Sequence, residues 1–167
     1  MRLDLVSKVG ENVKIRRIQI IKNDGAHIGH YMHGTKIGVA ITLEKENADL
    51  AKDICMHIAA MKPIALDSND LSPDDLEKER DIFLAQAKES GKPEEIIQKM
   101  VDGKIKKYIS GVTLVDQPFV KDNEITIQEL LVKHNNSIKL FYRLEVGEGI
   151  EKKDENFADE VMAQINK

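Results

Sequence analysis

A single cysteine, Cys55, and no tryptophan mark this 167-residue chain, which carries only seven aromatic side chains (four Phe, three Tyr) and four prolines. One thiol excludes an intrachain disulfide framework and fits a reducing compartment. No apolar run approaches the roughly 18 residues of a bilayer-spanning helix, so no membrane segment is expected. The opening residues, MRLDLVSKVG, lack an apolar core region and do not read as a signal peptide. Lys and Arg number 25 against 29 Asp and Glu, a formal net charge of −4. Without a basic excess, direct binding to nucleic acid is not expected. What the chain does have is 41% hydrophobic and 32% charged residues. That apolar share can offset the entropy of ordering a core, so a folded, cytoplasmic α+β protein is expected.

The pattern predicts an antiparallel sheet with packed helices. LDLVSKV ends a helix at Gly10. The β-branched run from Val13 to Ile21 reads as a strand, turned at Asn23-Asp24-Gly25 into a second strand over His27–Met32. Gly34 breaks that strand, and Lys36–Leu43 reads as the third of a meander. Asn47 caps a helix reaching Met61, with Leu50, Ile54, Ile58 and Met61 on one seam. Further strands are expected over Val112–Val115 and Leu140–Val146, around a helix at Thr126–His134. Gly147-Glu148-Gly149 reads as a turn, and Asp154–Gln164 as a closing amphipathic helix.

The middle differs in kind. Ser72-Pro73-Asp74-Asp75 is a strong helix start, and Ser90-Gly91-Lys92-Pro93 separates that helix from a second one. Leu76, Phe83 and Ala87 form a narrow stripe on the first; Ile97, Val101, Ile105 and Tyr108 form one on the second. Two such stripes joined by a short turn read as an antiparallel helical hairpin of coiled-coil type. Sixteen helical residues span roughly 24 Å, against a radius of gyration of about 15 Å for a compact chain of this size, so the hairpin is expected to protrude. The expected organisation is a discontinuous core (1–69 and 109–150), a hairpin insertion (70–108) and a C-terminal helical module (151–167).

Little in the pattern carries covalent chemistry. His27, His30 and His33 could hold a metal only through a loop or bulge, since 27 and 33 share one face of a strand and 30 the other. A metal enzyme built on them is the one catalytic reading available. Cys55 and His57, two apart on a helix, diverge by about 200° and form no nucleophile–base pair; Cys55 reads as a buried structural thiol. Gly147-Glu148-Gly149 lacks the third glycine and following helix of a dinucleotide site. Lys104, Lys106 and Lys107 read as charge offsetting a helix C-terminus. No acid–base–nucleophile constellation emerges, and the composition leans toward an interaction protein with no cofactor.

The segments LVSKVGENVKIRR, YMHGTKIGV, AKDICMHIAAMKP, ESGKPEEIIQKMVDGKIKKY, QPFVKD and RLEVGEGIEKK, followed by FADEV, are together similar to bacterial elongation factor Ts, in that family's order and approximate spacing. The resemblance implies a guanine-nucleotide exchange factor for elongation factor Tu in translation elongation, with no active site in the chemical sense. Family members press on the GTPase near its magnesium and phosphate sites while gripping a second domain of it. By position, Val9 and Gly10 in KVGEN match a turn facing the GTPase, and His33 in YMHG matches a histidine that approaches the GTP-binding domain. Val120 in QPFV matches a partner contact, and Lys121 stands where other members can carry an apolar residue. Phe157 and Val161 match the C-terminal module that docks on the GTP-binding domain. The hairpin matches an element that contributes to homodimers in some members. On the residues alone, His33 reads as an exposed strand-end histidine, and the last helix could pack back on its own domain.

The resemblance begins late in the family's pattern. Neither the small helical domain nor the Thr-Asp-Phe-Val motif of the first core half is found here, and residues 1–12 read as the end of that neighbouring half. The expectation is a fragment or truncated relative with weakened partner binding and strongly reduced exchange. The alternative to an exchange factor is thus a module that holds elongation factor Tu with little or no nucleotide release.

Overall fold

The computed structural model describes residues 2–11, 13–22 and 24–150. In chain order its elements are α1 (Arg2–Val9), β1 (His27–His33), β2 (Ile37–Leu43), α2 (Ala48–Met61), a 3-10 turn (Ser68–Asp70), α3 (Pro73–Lys88), α4 (Glu94–Val112), β3 (Pro118–Phe119), β4 (Asp122–Thr126), α5 (Ile127–Lys133) and β5 (Ile138–Glu145). This is the expected α+β class, with helices packed on antiparallel sheets.

The main sheet has the order β1-β2-β5, with every pairing antiparallel. Its third strand, β5, is the one expected over Leu140–Val146, whereas the strand expected over Val13–Ile21 does not form. Residues 13–22 form no strand, and Ile15, Ile18 and Ile20 are exposed. Gly25, with φ of 79°, leads irregular chain into β1 rather than closing a hairpin. A β-branched run records fitness for a pleated, half-buried surface and not a pairing; the outer edge of β1, where a hairpin would have placed it, carries no strand among the described residues. Residues 13–22 are tied to the sheet by side chains instead, Arg17 to Glu148 at 2.6 Å and Gln19 to the Tyr142 hydroxyl at 2.9 Å.

Helix α2 packs across β1 and β2. The Asn47 side chain accepts the Leu50 N–H at 3.0 Å, as a cap should, and Lys62 closes the helix in the left-handed region at φ 52°. Leu50, Ile54 and Ile58 are buried in the seam, each contributing roughly 1.5–3 kcal/mol; Met61 leaves it and is exposed. Gly29 permits the close approach, because a Cβ there would stand 2.5 Å from the Ala51 Cβ. Ile41, Leu43, Leu114, Phe119, Ile127 and Leu131 complete the same core.

The two middle helices carry a separate cluster, in which Ala87, Ile97 and Val101 are buried with Phe83, Leu84 and Ile105 against them. Arg80 meets Asp102 at 3.0 Å across the pair. Helix α4 runs on to Val112, so the strand expected over Val112–Val115 does not form; Thr113 makes a single parallel bridge to Ala65. For the same reason Lys104, Lys106 and Lys107 lie before the last turn rather than in it. Lys104 instead bonds the Gln86 side chain at 2.9 Å and lies 5.4 Å from the Phe83 ring centroid. The β3–β4 hairpin was not anticipated; α5 follows it on a capping box of Thr126 and Glu129. The closing helix expected over Asp154–Gln164 lies outside the described residues.

Candidate functional site

With no reaction centre suggested by sequence, the candidate site is a surface, built from side chains held outward on fixed backbone. His33 is the last residue of β1, paired with Ile37 across the three-residue turn Gly34-Thr35-Lys36. Its ring is exposed, and its Nδ1 lies 3.1 Å from the hydroxyl of Tyr31, which packs against the core from the same strand. The histidine thus has a defined orientation with its remaining surface free to water. Met32, Thr35 and Lys36 from this end of the sheet share an open groove of about 410 Å³ with Lys14, Ile15 and Arg16. The structure therefore brings the stretch after KVGEN and the stretch around YMHG to one place.

Val9 ends α1 and is exposed; Gly10 follows at φ 75°, its N–H donating to the Val6 carbonyl at 2.9 Å. That turn reverses the chain, and neither residue lines the groove beside His33. Val120 and Lys121 lie elsewhere, at the two-residue turn where Phe119 pairs with Asp122. Phe119 is buried in the core, whereas the Val120 side chain is exposed. The Lys121 ammonium meets the Asp53 carboxylate of α2 at 2.6 Å, so this residue is held rather than free. Phe157 and Val161 lie outside the described residues.

Sequence reading missed what holds that turn. His57 is fully buried on α2. Its Nε2 lies 2.9 Å from Gln117 Oε1, and its Nδ1 accepts the Val120 N–H at 3.2 Å. Gln117 Nε2 donates to the Gly111 carbonyl at 2.7 Å, which fixes the amide orientation. The hydrogen must then sit on His57 Nε2, leaving Nδ1 as the acceptor: a neutral imidazole with both nitrogens used. Burial lowers its pKa below the ordinary histidine value, against a smaller opposing effect of the Gln117 bond. The glutamine of QPFV was the available signal, but its partner stands 60 residues away.

Charge gathers at the His33 end of the sheet. The Arg143 side chain, 6% exposed, reaches Glu145 at 2.7 Å and Glu148 at 3.4 Å, and Lys62 reaches Glu145 at 3.3 Å. The Arg143 hydrogen bond, then that of Lys62, holds the Glu145 carboxyl below its usual range. Elsewhere, burial pushes the Cys55 thiol up to about 12, so it carries no thiolate near neutral pH. His27 and His33 stand at opposite ends of β1, about 20 Å apart at 3.3 Å per residue. Among the described residues, no group of three His, Cys, Asp or Glu side chains could hold a metal ion. No helix among them is long and apolar enough to cross a membrane.

A family model described as Elongation factor TS matches residues 1–148. Elongation factor Ts of Thioalkalivibrio sulfidiphilus is 56% identical over 164 residues, 98% of this chain and 56% of that protein. The Legionella pneumophila (strain Lens) protein of the same name is 52% identical over the same shares. That of Vesicomyosocius okutanii is also 52% identical, over 98% of this chain and 57% of its own length. The chain thus spans about half the length of the curated relatives it matches. It belongs to the elongation factor Ts family.

Proposed function

We propose that this chain is a guanine-nucleotide exchange module acting on elongation factor Tu in the cytoplasm. The observation that carries the reading is the family match over residues 1–148, which includes the segments displaying His33 and Val120. Exchange needs no acid, base or nucleophile. If a protein binds the nucleotide-free GTPase more tightly than the GDP-bound form by some factor, it weakens GDP binding by that same factor. A bound partner that favours the empty conformation shifts the GTPase population toward it. Rigid presentation of contact residues suits such work better than a reactive centre. His33 and the turn at Val9 and Gly10 would face the GTP-binding domain, while Val120 and Lys121 would grip a second surface. Phe157 and Val161 would add a third contact. The core (1–69 and 109–150), the hairpin (70–108) and the C-terminal module (151–167) would act as separate units, with the hairpin available for pairing with a second copy.

A second reading is favoured by the half-length match: a module that holds elongation factor Tu without emptying it. Calorimetric titration of the chain into nucleotide-free and GDP-bound elongation factor Tu separates the two. Exchange requires tighter binding to the nucleotide-free form; equal affinity for both forms would support the holding module and contradict exchange.

A further inference from the structure

We infer that α2 is the positioning element of the Val120 contact: Asp53 and His57, one helical turn apart, fix Lys121 and the Val120 backbone so that the Val120 side chain is presented outward. The inference rests on the reading that Val120 touches the GTPase. Three consecutive residues of the turn are anchored, each differently. Phe119 is buried in the core with its ring 6.2 Å from that of His57. Val120 donates its N–H to His57 Nδ1 at 3.2 Å. Lys121 meets Asp53 at 2.6 Å. Between two held neighbours, Val120 remains 47% exposed as a residue, although its side chain is apolar.

The hydrogen-bond chain gives the anchor its direction. The Gly111 carbonyl orients the Gln117 amide, the amide oxygen takes the His57 Nε2 proton, and the lone pair on Nδ1 is thereby aimed at Val120. The end of α4 is thus linked through one buried imidazole to the tip of the β3–β4 turn. A short hairpin with two- and five-residue strands has little stability of its own. Ordering it beforehand removes an entropy cost that would otherwise weaken binding. His57 and Asp53 are positioning residues; Val120 is the contact.

The two amide side chains test this, because an asparagine amide falls near the position of a histidine Nδ1 and a glutamine amide near Nε2. His57→Asn retains an acceptor for Val120 and loses the Gln117 partner; His57→Gln does the reverse. Affinity of the full chain for nucleotide-free elongation factor Tu is measured beside its melting temperature. His57→Gln should bind roughly two- to tenfold more weakly and His57→Asn close to the parent, though both melt lower. Affinities that follow the melting temperatures instead would overturn the positioning role. Asp53→Asn, at a carboxylate 33% exposed, is a surface change that keeps the test open should the His57 variants fail to fold. It should weaken binding in the parent and have no further effect in Val120→Asp, as expected for coupled groups; equal losses in both backgrounds would overturn the inference. Wild-type affinity in Val120→Asp alone would overturn the contact itself, and with it the reading beneath.

Discussion

His57 Nε2 and Gln117 Oε1 lie 2.9 Å apart in the core, joining α2 to the segment that leads into β3. Both side chains are almost wholly buried, so the Nε2 hydrogen and the amide oxygen depend on each other for a partner. Gln117→Leu keeps much of the volume but strands the imidazole N–H and the Gly111 carbonyl. A loss of about 1–3 kcal/mol is expected, read as a lower midpoint in urea with little change in slope. An unchanged midpoint would show that water or a shifted side chain replaces the amide.

The same pair sets a pH dependence. The folded-state pKa of His57 is lowered from 6.5 by burial, so the unfolded chain binds this proton more readily than the native one. The contribution is fully present above pH 6.5 and declines as pH falls from there through the depressed folded value. Asp53 and Lys121, which flank the histidine, are joined to each other at 2.6 Å. Glu145, also lowered, from 4.5, acts in a separate window: its contribution is present above 4.5 and lost as pH falls through its folded value. Urea midpoints should therefore fall between pH 7.5 and 5.5 in the parent and fall less in His57→Asn. Identical slopes in the two proteins would assign that loss to another group.

Gly29 supplies the third expectation. Its missing side chain is where Ala51 of α2 rests, and Gly29→Ala would put two carbons 2.5 Å apart. Overpacking of this kind typically costs about 1–3 kcal/mol. Neither partner is the far end of a flexible chain, so α2 itself must shift. Thermal unfolding of Gly29→Ala should show a lowered melting temperature; a neutral result would mean that the helix moves away freely.

His33→Ala separates display from support. The ring is exposed at a strand end, with one bond to Tyr31 at 3.1 Å. Its removal should change stability by no more than about 0.5 kcal/mol. Binding to nucleotide-free elongation factor Tu should weaken by about 1 kcal/mol or more. A large fall in melting temperature with affinity intact would make His33 a structural residue.

The helices were legible because their signals are local. Asn47, Thr126 and Pro73 with Asp74 and Asp75 announce starts within one turn, and the Leu50–Ile54–Ile58 stripe names the buried face of α2. Strand pairing is not local. Val13–Ile21 has the composition of a strand, but composition does not say whether a run will pair, and the β1 edge beside which it was expected carries no strand among the described residues. β3, two residues beginning with Pro118, is too short to show a period. For the site, the residues alone gave exposed histidines and no reaction; the proposal that Val9, Gly10, His33 and Val120 are contacts rests on the resemblance to the family's motifs. What those motifs could not reveal was the support beneath them. His57 reads as an ordinary core histidine until Gln117 and Val120, 60 and 63 positions later, fold onto it.

The most direct test of the exchange role is stopped-flow release of a fluorescent GDP from elongation factor Tu, chased with excess unlabelled GDP, across a concentration series of this chain. The predicted result is a release rate that rises with chain concentration above the intrinsic rate. A release rate that stays at the intrinsic value while the chain is demonstrably bound would contradict it.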